Sequence, residues 1–92
     1  MNETNATRKV NDMSNKTLNA KAEGFKKSII KNLDWNGIAV HDSLSYVEDG
    51  IVTVGVEVDE SKAARAMYII GKLGHADIVS REDGKARIYC LI

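Results

Sequence analysis

Four valines at every second position, Val52, Val54, Val56 and Val58, constrain this chain more than any other stretch. Thr53, Gly55 and Glu57 stand between them, and a period of two sends alternate side chains to opposite faces of an extended backbone. The segment therefore reads as a half-buried strand with one apolar face. At Asp59-Glu60-Ser61 the period changes, and Ala63, Ala66, Met67, Ile70 and Leu73 recur at the spacings of an amphipathic helix. Asp59 is placed to cap that helix with its carboxylate, and Glu60 suits the positive helix end. Gly71 and Gly74 mark the other end, Gly74 as the residue that closes the helix in the left-handed conformation. Ile78 and Val79, then Ala86, Ile88, Cys90 and Ile92, read as two further strands joined at Glu82-Asp83-Gly84.

Upstream, Leu18, Ala22, Phe25, Ile29 and Leu33 form one helical stripe, with Lys16, Lys27 and Lys31 roughly opposite. Thr17 is a plausible cap, and the helix should end near Asp34. Asn36-Gly37 is a turn signal. After it, Ile38, Val40, Leu44 and Tyr46 share even positions, as in a strand interrupted at His41-Asp42-Ser43, and Glu48-Asp49-Gly50 then reverses the chain. The order αββαββ predicts an α+β two-layer sandwich: a four-stranded, mostly antiparallel sheet with both helices on one face. Residues 1–16 hold too few apolar side chains to offset the entropy of ordering them, so they are expected to form a disordered polar tail ahead of a single domain over residues 17–92.

Ninety-two residues make one domain at most, with a thin core. Thirteen basic side chains balance thirteen acidic ones, but residues 1–33 carry seven against three, a net +4, which leaves the remainder at −4. Such asymmetry points to an electrostatic partner for the N-terminal part. A lone cysteine excludes an internal disulfide, and no apolar run suits a membrane span or a signal peptide, so a soluble, cytoplasmic protein is expected. The three sequons at Asn2, Asn5 and Asn15 then read as an asparagine-rich tail rather than as glycosylation sites.

Little in the chain carries catalytic chemistry. His41, Asp42 and Ser43 have the letters of a hydrolytic triad, but neighbours in a strand point to opposite faces. His41, His75, Asp77 and Cys90 are metal-ligand types without a short paired spacing to recruit them. Cys90 alternates with Ile88 and Ile92 and reads as a small core residue. Residues 29–37, IIKNLDWNG, resemble the LAGLIDADG motif of homing endonucleases, whose core shares the αββαββ order, through Asp34, Gly37 and the apolar Ile29 and Leu33. The position of that family's metal-binding acid is Asn36 here and that of its close-packing glycine is Lys31, so no nuclease activity is carried over. A non-enzymatic protein with no cofactor and no metal is the expectation.

The sheet face turned away from the helices remains. Alternation assigns to it Arg81, Lys85, Arg87 and Tyr89 together with Val47, Ile51, Val79 and Leu91. Aliphatic groups left wet around one tyrosine favour a protein partner or a second copy of the chain, so the expected function is a binding or regulatory module, with a homodimer as one form. The alternative is a nucleic-acid binder that uses Lys16, Lys27 and Lys31 on the first helix, the tail and the basic hairpin.

Overall fold

The computed structural model describes residues 2–92, with side chains described from residue 17 onward. The expectation of a disordered tail over residues 1–16 falls outside those side chains. The elements follow as α1 (Asn2–Trp35), β1 (Asp42–Glu48), β2 (Ile51–Asp59), α2 (Ala63–Gly71), β3 (His75–Glu82) and β4 (Lys85–Leu91), with a short 3-10 turn at Glu60–Lys62 before α2. The strands form one sheet in the order β1-β2-β4-β3, and every neighbouring pair is antiparallel. α1 packs on β1 and β2 and α2 on β3 and β4, which gives the α+β sandwich that the periodicities predict. Among the described residues no helix is long and apolar enough to cross a membrane.

Helix α1 turns Ala22, Ile29 and Leu33 inward to full burial, with Leu18 and Phe25 half-buried beside them. Thr17 lies within this helix rather than at its start. Its C-terminus is closed by a Schellman motif, in which Ile38 N–H donates to Leu33 O at 2.9 Å and Gly37 N–H to Asp34 O at 3.0 Å. Gly37 takes φ +71°, and Ile38 buries itself against the core just beyond. The Asn36-Gly37 signal is thus a helix stop.

Both hairpins use two-residue loops with positive φ throughout, 52° and 77° at Asp49 and Gly50, 53° and 74° at Asp83 and Gly84. These are type I′ turns, whose twist matches that of the strands they join. Asp49 and Asp83 stand as far apart in the chain as Gly55 and Tyr89, and Gly55 and Tyr89 are direct partners across β2 and β4. A two-fold axis through that pair therefore exchanges the two hairpin turns, although the helices that precede them differ in length and only β3 carries a register shift.

The core is built from the even positions of β2 and β4. Val54, Val56, Val58, Ile88 and Cys90 meet Ile29, Leu33, Ile38, Ala66 and Ile70, all essentially without solvent contact. Complete burial of a side chain of this size contributes about 1.5–3 kcal/mol. Two expected helix ends of α2 differ. Asp59 makes no capping bond; its Oδ1 instead pairs with His41 Nε2 at 2.8 Å, because the His41 N–H extends the antiparallel ladder to Glu57 O and brings the imidazole alongside. Gly74 does not adopt positive φ, and it is required for space: a Cβ there would lie 2.8 Å from Cys90 Sγ, Ile92 Cγ2 and Leu91 O.

Candidate interaction face

With the even positions of β2 committed to the helices, cross-strand register assigns the opposite face row by row. Tyr46, Thr53, Leu91 and His75 form one row, Leu44, Gly55, Tyr89 and Asp77 the next, and Asp42, Glu57, Arg87 and Ser80 a third. No element covers this face. Its centre is closed by its own side chains: a Cβ on Gly55 would lie 3.0 Å from the Tyr89 ring and 3.2 Å from Leu44 Cδ1. The tyrosine covers the glycine, an arrangement that restores side-chain packing where the strand has none.

The two ends of the face differ in chemistry. At one end Glu57, Ser80, Glu82, Lys85 and Arg87 line a shallow polar depression of about 280 Å³. Arg87 Nη2 donates to Glu57 Oε2 at 3.1 Å and lies 3.6 Å from Asp42 Oδ2. The bond to Glu57, against the opposing effect of desolvation, raises the guanidinium pKa above its ordinary value. At the other end Tyr46, Ile51, Thr53, Val79, Tyr89 and Leu91 enclose a depression of about 300 Å³, edged by Glu48, Asp49 and Asp77. Of the six large hydrophobic side chains left exposed among the described residues, Tyr46, Ile51 and Val79 lie here, so three of the six share this one place. Thr53 is only 5% exposed, and among the described residues its hydroxyl has no hydrogen-bond partner. Among the described residues no buried side-chain polar atom lacks a partner, so this hydroxyl keeps its contact with water. At this end of the face, a hydroxyl able to donate or accept lies beside an apolar surface.

Five of the residues assigned to this face from the sequence, Ile51, Lys85, Arg87, Tyr89 and Leu91, are on it, and Val79 borders its apolar end. Val47 is not. It pairs with Val52 and points toward the helices with Ser43 and Ser45, because the alternation running through Ile38 and Val40 changes phase before β1 begins. Arg81 is displaced as well. A bulge between Ile78 and Ser80 advances the register by one residue, so Arg81 pairs with buried Ala86 and reaches Glu60 at 3.7 Å. The same phase change delivers Tyr46 to the open face, and it is the one aromatic there that the sequence pattern misassigned. Thr53 shows no signal in sequence, since its significance lies in what surrounds it.

Lys27 and Lys31 are exposed on the outer side of α1, where they border a groove of about 570 Å³ with Ile30, Asp34 and Val40. The Lys16 side chain lies outside those described. The triad letters are not assembled, since His41 bonds to Asp59 and the Ser43 N–H donates to Asp42 Oδ1 at 2.9 Å. His75 bonds to Asp77 at 3.1 Å on the open face. Cys90 is buried on the other face, where desolvation pushes its thiol pKa up and away from reactivity. Comparison with known protein families, curated proteins and solved structures finds no match to this chain.

Proposed function

We propose that the protein is a non-enzymatic binding module that acts by protein–protein contact through its open sheet face. The observation that carries this reading is the apolar end of that face, where Tyr46, Ile51, Val79, Tyr89 and Leu91 line one depression and three of them are left exposed. Protein interfaces concentrate aromatic and aliphatic groups at a desolvated centre with polar groups around it, which is the distribution found here. The nucleic-acid reading has one supporting observation, the exposed Lys27 and Lys31 on α1. Its basic hairpin is weakened as a phosphate contact, since Arg87 is held by Glu57 and Asp42 and Arg81 by Glu60. Acidic groups also outnumber basic ones on the open face, which would repel a phosphate backbone.

The test compares the parent chain with Leu91→Lys in light scattering and in affinity capture. Partners or self-association should be lost in the variant while its melting temperature stays within a few degrees. A parent chain that remains monomeric and partnerless, yet binds a mixed-sequence oligonucleotide with steep salt dependence removed by Lys27→Ala and Lys31→Ala, would establish the nucleic-acid reading instead.

A further inference from the structure

Trp35 is the only tryptophan of the chain, and with 79% of its surface exposed it is the most exposed large hydrophobic residue among those described. It stands four and eight residues after Lys31 and Lys27, so the three share one stripe of α1, on the side away from Ile29 and Leu33. Among the described residues nothing covers this stripe. We infer that a second copy of the chain docks on the apolar end of the open face, and that it does so by inserting Trp35 into the depression floored by Thr53. The inference rests on the protein–protein reading of that face and names its occupant.

Size, polarity and charge each support the pairing. A depression of about 300 Å³ is at the lower limit of ligand pockets and suits one large side chain better than a cofactor. An indole offers an apolar body and a single N–H that can only donate, and the Thr53 hydroxyl, with no hydrogen-bond partner among the described residues, can accept it in place of water. The edge of the depression supplies Glu48, Asp49 and Asp77 and no basic residue; Asp77 is bonded to His75, whereas Glu48 and Asp49 have no ion pair among the described residues. Lys31 and Lys27, one and two turns before the indole, provide the opposite charge. The same complementarity holds for the chain as a whole, net +4 over residues 1–33 and −4 beyond.

The geometry also excludes self-insertion. α1 covers the face of the sheet opposite to the depression, so a chain cannot fill its own site. Donor stripe and acceptor depression occupy opposite sides of the molecule, which makes the contact head-to-tail rather than a two-fold dimer and allows it to propagate.

The lone tryptophan is its own reporter. On concentrating the parent chain, emission from Trp35 should shift to shorter wavelength and become harder to quench, in step with a weight-average mass in sedimentation that passes the dimer. Added salt should weaken both changes. Trp35→Ala and Val79→Lys should each weaken association by at least about 30-fold, the loss expected for a hot-spot residue. Mixed together, these two variants should form a 1:1 complex with blue-shifted emission, because one contributes an intact depression and the other the only indole. If Val79→Lys melts without cooperativity, Ile51→Lys takes its place. A silent mixture, or a parent chain whose mass stops at a dimer, overturns the arrangement. Association that is lost in Val79→Lys and Leu91→Lys but unchanged in Trp35→Ala keeps the face as an interface and removes α1 as its occupant. Association unchanged in all of them removes both.

Discussion

The two faces of one sheet divide the work of this protein. On the covered face Val54, Val56, Val58, Ile88 and Cys90 are apolar and fully buried under α1 and α2. On the open face the residues between them, Thr53, Gly55, Glu57, Arg87, Tyr89 and Leu91, mix every chemical type and keep partial contact with solvent or with each other. Since alternate residues of the same strands supply both, the difference cannot come from backbone conformation. It comes from which side the helices occupy. The covered face is selected for volume and dryness, and substitutions there act on folding. The open face has no helix packed on it, so substitutions there should disturb folding less.

The largest separation between the faces should appear on truncating core side chains. Ile70→Ala and Ile88→Ala should each cost about 2–5 kcal/mol in urea unfolding, the range for removing a buried isoleucine side chain and leaving part of its volume empty. Tyr46→Ala, which truncates a larger side chain on the open face at 39% exposure, should cost well below that. Equal losses would mean that the open face is packed in solution, and the contrast would fail.

A smaller effect should distinguish two glycines. Gly74→Ala drives its new methyl to 2.8 Å from Leu91 O, a backbone atom that cannot rotate away, and should destabilise by about 1–3 kcal/mol. In Gly55→Ala the neighbours at 3.0–3.3 Å are the ends of the Tyr89 and Leu44 side chains, which have room to turn outward. That variant should unfold within about 1 kcal/mol of the parent, because alanine also restricts the unfolded chain. Should the order reverse, the Tyr89 ring would be fixed in place and the open face more rigid than its exposure indicates.

The smallest effect is electrostatic and lies where α1 meets β1. Glu23 Oε1 accepts the Ser45 hydroxyl at 2.8 Å, and with Lys26 beside it the carboxyl pKa falls below its ordinary 4.5. A carboxylate whose pKa is lower folded than unfolded adds stability above the unfolded value and loses it as pH falls through the folded one. Glu23→Gln should therefore be slightly less stable than the parent at neutral pH, and the two stability curves should converge as acid protonates Glu23. Curves that stay parallel through this range would show that the contact contributes nothing in solution.

Much of the architecture is legible in the sequence. The Val52 to Val58 alternation is β2, the spacing from Ala63 to Ile70 is α2, and both Asp-Gly dipeptides are two-residue hairpin loops. Apart from the helix ends at Thr17, Asp59 and Gly74, the departures lie at two places, the phase change ahead of β1 and the bulge in β3. Each moved a residue off the open face, Val47 and Arg81, and the first brought Tyr46 onto it. Both are offsets of one residue, and with a side-chain period of two, one residue is enough to change faces.

The sequence by itself determined the elements, their order, their turns and the relative sidedness of residues within each uninterrupted strand, because these follow from local backbone geometry. Which side of the sheet each set would meet was decided only in the tertiary structure, since that depends on how β1 registers on β2 and β3 on β4. The burial of Thr53 on the open face and the exposure of Trp35 belong to the same category. A threonine is covered or not, and an indole exposed or not, only by groups brought near from distant parts of the chain.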